Sequence, residues 1–80
     1  MYEEMNTKVE YEKFDECYGI IEKEDTKKVY LKLENGEKAF AFNMFNFLPG
    51  TKVLCSIKKL ASAKKDILVS IDSVVEYAAA

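Results

Sequence analysis

The dipeptide Asn35-Gly36 stands between two segments of strict two-residue alternation, and it limits the fold more sharply than any other feature of the chain. Ahead of it Val29, Leu31 and Leu33 alternate with Tyr30, Lys32 and Glu34; behind it runs Lys38-Ala39-Phe40-Ala41-Phe42. A period of two sends successive side chains to opposite faces of a strand. Asn-Gly tolerates the positive backbone angles that tight hairpin turns require. The two segments are therefore predicted to pair as a β-hairpin. A two-stranded hairpin is marginal in water by itself, so the rest of the chain must supply more strands.

The same alternation recurs three more times. Cys17, Gly19 and Ile21 alternate with Tyr18, Ile20 and Glu22, and Glu24-Asp25-Thr26-Lys27 reads as the turn into the next strand. Pro49-Gly50-Thr51 is a second turn, with proline and glycine suited to its two central positions. Beyond it Val53, Cys55 and Ile57 define a fourth strand, and Ser62 to Lys65 form a polar loop. Ile67, Val69 and Ile71 define a fifth strand that runs on toward Val74. Residues 43–48, rich in Phe and Leu, are too short for a long helix and too apolar for a free loop. One helical turn plugging a barrel end is predicted there, with Phe45, Phe47 and Leu48 in the core or plug. Tyr2, Met5 and Val9 fit a helical face, whereas Thr7, Val9 and Tyr11 fit a strand; the second half of this leader is expected to be extended and to add to the barrel. Ala78 to Ala80 reads as a frayed end.

Five short strands with a small helical element between the third and fourth predict an all-β, five-stranded OB-type small barrel. Eighty residues make one domain. Residues 1–13 are read as an acidic N-terminal extension and residues 14–77 as the barrel.

Composition narrows the chemistry. The chain has no His and no Arg; all twelve basic residues are Lys. The commonest general base and the commonest oxyanion or phosphate clamp are thus absent, which argues against an enzyme with catalytic residues. Two cysteines without His argue against a zinc site or a disulfide framework, and no metal or small-molecule cofactor is expected. The absence of a long apolar run and of a basic-then-apolar leader points away from a membrane and toward the cytoplasm. Net charge is -2, unevenly spread. Residues 1–25 hold three Lys against nine acids, a local -6, and residues 26–80 hold nine Lys against five acids, a local +4.

The sequence details resemble the S-one-type RNA-binding domain over about residues 16–73. Cys17-Tyr18-Gly19-Ile20-Ile21 is similar to that family's apolar-x-Gly-x-apolar first strand. The resemblance continues through Val29-Tyr30-Leu31-Lys32-Leu33 and the Asn35-Gly36 turn. Pro49-Gly50-Thr51-Lys52-Val53-Leu54-Cys55-Ser56-Ile57 is similar to the Gly-x-x-Val-x-x-x-Val fourth strand, and Asp66-Ile67-Leu68-Val69-Ser70-Ile71 to the closing strand. The resemblance implies outward aromatics on the second and third strands that stack unpaired bases, with basic residues on the phosphates. Tyr30, with Lys32 beside it, falls at the second-strand position, and Phe40 or Phe42 at the third. The family's closing-strand basic position is Asp66 here, with Lys64 and Lys65 adjacent, and the loop of residues 24–28 carries no aromatic.

Each of these residues has a plainer reading. Tyr30 can be an ordinary β-forming aromatic on a half-exposed sheet. Phe40 and Phe42 are favoured inward, because small barrels need bulky filling, and that packing would remove the third-strand platform. Lys58, Lys59, Lys64 and Lys65 can be a solvated positive knob, although the loop they flank borders the ligand groove of OB barrels. Cys17 and Cys55 share the inward phase on strands that neighbour each other in such a barrel, and read as buried reduced thiols rather than a redox switch. Two functions follow. The first is a non-catalytic module binding single-stranded RNA weakly, with little sequence preference, through Tyr30, Lys32, Phe40, Phe42, Lys58, Lys59, Lys64 and Lys65. The second is a protein-interaction module docking through the barrel or its acidic leading segment.

Overall fold

A computed structural model describes residues 10–42 and 47–78. Five strands follow one another: β1 (Glu16–Glu24), β2 (Lys28–Leu33), β3 (Lys38–Phe42), β4 (Lys52–Lys59) and β5 (Ile67–Glu76). They close into a barrel in the order β1-β2-β3-β5-β4, with β4 returning to pair with β1. Every pairing is antiparallel except β3 with β5, which is parallel and rests on Ala39↔Ile67 and Phe40↔Leu68. Closure removes the exposed edges that a five-stranded open sheet would present. The chain is thus an all-β, five-stranded closed barrel, and no helix among the described residues is long and apolar enough to cross a membrane.

The expected turns take definite forms. Gly36 donates its N–H to Leu33 O (2.8 Å), and Leu33 N–H donates to Glu37 O (2.8 Å). Gly36 lies at φ 92°, while Asn35 keeps a negative φ. The β2–β3 connection is therefore a three-residue loop with glycine at the left-handed bulge position. Thr51 N–H closes the second turn on Leu48 O (3.1 Å), with Pro49 leading and Gly50 at φ 94°. That combination is the one a type II turn selects. Asp25 caps the β1–β2 loop: the amides of Lys27 (2.9 Å) and Lys28 (3.1 Å) donate to its Oδ1 and hold its pKa below the usual range.

Inward phase selects the core. Cys17, Ile21, Val29, Leu31, Leu33, Val53, Cys55, Ile57, Ile67 and Val69 are buried together with Ala39, Ala41 and Phe47. On β5 the strict alternation lapses after Ile71, because Asp72 and Val75 are skipped in the pairing with β4. Those irregularities let both Ile71 and Val74 pack against the core although they stand three positions apart, out of the two-residue phase.

Three expectations need correction. Phe40 and Phe42 point outward and Ala39 and Ala41 fill the inward sites. The alanines lie opposite Leu31, Val29 and Ile67, all buried, so the interior at β3 is already occupied and takes only small side chains. Leu48 is exposed rather than plugging the barrel; Phe47 alone of that pair is buried. Residues 10–15 form no strand: Tyr11 packs on the core, and a turn at Lys13–Phe14 leads into β1. The helical turn expected at 43–48 falls largely on residues 43–46, and Phe45, Thr7 and Val9 likewise lie outside the described residues.

Candidate nucleic-acid interface

The β2–β3 ladder sets the geometry of the outer face. Its register pairs Lys28 with Phe42, Tyr30 with Phe40 and Lys32 with Lys38. Directly opposed residues sit about 4.5–5.5 Å apart at Cβ, so Tyr30 and Phe40 are neighbouring rings on one surface. Phe40 and Phe42 meet edge to face at 6.1 Å between centroids, 87° apart in plane. Phe42 is 61% exposed, whereas Tyr30 and Phe40 are half-buried. The four residues named from sequence on these strands (Tyr30, Lys32, Phe40 and Phe42) therefore share a face.

Lysines sit on the rings. Lys23 Nζ lies 5.0 Å from the Tyr30 centroid, Lys28 Nζ 4.9 Å from that of Phe40, and Lys52 Nζ 5.0 Å from that of Tyr18. Tyr18, Lys23, Lys28 and Lys52 were not singled out from sequence. Their signal was present for Tyr18, which alternates with the inward Cys17, Gly19 and Ile21 and so had to face out.

Of the β4–β5 lysines, Lys58 borders the aromatic face: it lines a cleft of about 250 Å³ with Phe42, Phe47 and Leu68. Lys59, Lys64 and Lys65 are exposed along the connection. It is Asp66, immediately before β5, that shares a cleft with Tyr30, Lys23 and Lys38. A larger cleft of about 440 Å³ lies on β1, between Tyr18, Ile20, Lys32 and Lys52, with Glu22 and Glu34 in its walls.

The thiols stand apart from this face. Cys17 and Cys55 oppose each other across β1 and β4 with 3.8 Å between sulfurs, both buried and both free. Cys55 Sγ also lies 3.3 Å from Cys17 O, to which it donates. Burial pushes both thiols up from their ordinary pKa, which keeps them protonated and poorly nucleophilic. Comparisons of the chain with protein-family models, with curated proteins and with solved structures return no match.

Proposed function

We propose that this chain is an OB-type barrel that binds single-stranded RNA without catalysing a reaction, using the outer face of β2 and β3. The strand order β1-β2-β3-β5-β4, with its parallel β3–β5 contact, supports the OB assignment. In OB barrels the strand 2–3 face and the loops flanking it take oligonucleotides and oligosaccharides. One observation carries the reading: Tyr30, Phe40 and Phe42 project outward side by side while alanines occupy the inward sites. A half-exposed run of three rings is an expensive surface to leave without a ligand, and bases stack on such rings with about 1–3 kcal/mol each.

Lysine without arginine makes the contacts point charges rather than bidentate forks. Weak, sequence-tolerant and salt-sensitive binding follows. If three lysines meet phosphates, log K falls with log salt at a slope of about -2. Two free, closely spaced thiols suit a reducing compartment such as the cytoplasm.

The test is amide NMR of the labelled protein during addition of a short mixed-sequence RNA at low salt. Shifts should cluster at Tyr30, Lys32, Phe40, Phe42 and Lys58, and added salt should reverse them. A spectrum that stays still would end the RNA reading. Docking of another protein on the barrel or on residues 1–13 would then take its place, tested by capture with and without that segment.

A further inference from the structure

The cleft on β1 adjoins the β2–β3 platform, sharing Lys32 with it, and carries the same ingredients. Tyr18 is 41% exposed, as is Ile20 beside it, and Lys52 holds its ammonium over the Tyr18 ring. The register Ile20↔Lys32 and Ile20↔Lys52 places a lysine on each side of Ile20, one on β2 and one on β4. Lys32 in turn pairs with Lys38 on β3. A row of three lysines thus crosses four strands, interrupted only by Ile20, between Tyr30 on one side and Tyr18 on the other. The two tyrosines are separated by four residues of strand rise and one strand spacing, about 14 Å. No single base spans that gap, so a ligand touching both rings is an oligonucleotide whose backbone crosses the lysine row.

The walls of the cleft add a preference. Glu22 and Glu34 line it, and the Glu34 amide donates to Tyr18 O (3.1 Å), fixing that residue beside the ring. Ionised carboxylates are acceptors only, and they take hydrogen bonds from the exocyclic amino group of a base such as cytosine. Uracil offers carbonyl oxygen at that position, which a carboxylate repels.

We propose that Tyr18, Ile20, Lys32 and Lys52 form a second base-binding subsite that extends the bound strand from β2 onto β1 and prefers an amino-bearing base. This rests on the RNA reading given above. Gly19 shapes the floor from within: a Cβ there would lie 3.3 Å from Leu33 Cδ2. The glycine therefore leaves room for the Leu33 side chain beneath the cleft.

Fluorescence anisotropy at low salt, with end-labelled hexamers of cytidine and of uridine, tests it on the full chain. The wild-type protein should bind the cytidine hexamer several-fold more tightly. Tyr18→Ala should weaken it by about tenfold, in line with the loss of one stacked base, and should bring the two hexamers level. Tyr18→Phe keeps the π-face and should retain wild-type binding, which separates stacking from a folding defect. Tyr30→Ala should weaken both hexamers alike. If Tyr30→Ala weakens binding and Tyr18→Ala does not, the subsite is wrong and the platform stands. If neither hexamer binds the wild-type protein, the platform itself falls and the subsite with it. Equal wild-type affinity for the two hexamers overturns the preference for an amino-bearing base.

Discussion

Phe14 occupies a backbone conformation that suits almost any residue less than glycine. Its φ is 71°, in the left-handed region, and its side chain is 74% exposed. The turn cannot relax freely, because it is tied at several points. Asp15 N–H donates to Glu12 O (3.1 Å), Glu12 N–H to Asp15 Oδ2 (2.8 Å), and Phe14 N–H to Ile57 O (2.8 Å). A left-handed L-residue costs roughly 1–2 kcal/mol, which glycine avoids. Glycine gives back about 0.5–1 kcal/mol through its greater freedom in the unfolded chain.

Alanine is the proper reference, since it loses the ring as glycine does but keeps the Cβ. Phe14→Gly should therefore be more stable than Phe14→Ala by about 0.7 kcal/mol, the middle of the difference between those costs. At this size that is a gain in Tm of about 3–6 °C over the alanine variant. Phe14→Asn should fall between them, because asparagine tolerates the left-handed region better than alanine. Urea unfolding followed by circular dichroism measures all three, with m unchanged across the series. An alanine variant as stable as the glycine variant would show that residue 14 is not left-handed in solution, and the turn would have to be redrawn.

Tyr11 packs against the core with its hydroxyl buried and, among the described residues, without a hydrogen-bond partner of good geometry. Tyr11→Phe should then stabilise by about 1 kcal/mol, the cost of an unsatisfied buried polar group; a loss of that size in urea melts would reveal a partner for the oxygen. Burial raises the pKa of Cys17 and Cys55, and of Tyr11 to about 12, so the native state holds its protons longer than the unfolded chain. Stability is full below the unfolded thiol value near pH 8.5 and declines above it, by up to about 1.4 kcal/mol per pH unit for each group. A Cys17→Ala/Cys55→Ala variant should be less stable at neutral pH yet show a shallower decline between pH 9 and 10; an unchanged slope would remove the thiols as the cause. Ala41→Phe should cost at least about 1–3 kcal/mol by overpacking the barrel, whereas Phe42→Ala should cost less than about 1. The opposite order would mean that β3 is turned the other way.

Much of the barrel could be read from alternation because water is on one side of each strand and the core on the other. Val29-Leu31-Leu33, Cys17-Gly19-Ile21 and Val53-Cys55-Ile57 each have one phase that is plainly apolar, so strand, face and the meeting of the two thiols all followed. Lys38-Ala39-Phe40-Ala41-Phe42 has apolar residues in both phases, and only the filled interior opposite Ala39 and Ala41 decides between them. That decision is non-local, and size alone pointed the wrong way. Leu48 and the residues before β1 failed for a related reason. A lone apolar side chain next to a turn carries no period, and nothing nearby in sequence tells whether the barrel covers it. The lysines over the rings depend on cross-strand register, which alternation leaves open.

Those lysines also bear on how an acidic chain could bind a polyanion. Each of Tyr18, Tyr30 and Phe40 has an ammonium about 5 Å from its centroid. At a wet surface such a contact is worth about 0.5–1 kcal/mol. A stacked base is worth about 1–3 kcal/mol on the same ring, so exchange of ammonium for base is favourable. In the proposed complex the displaced ammonium would stay at the surface on its flexible stem, free to pair with a phosphate of the bound strand. On that reading stacking and charge pairing would be coupled at Tyr18, Tyr30 and Phe40: a base would free the lysine, and the lysine would hold the backbone. With screening over roughly 8 Å at physiological salt, these local charges matter more to a strand on this face than the chain's net -2. The same exchange would limit affinity at Tyr18, Tyr30 and Phe40, since a base stacked on any of these would first displace a cation–π contact.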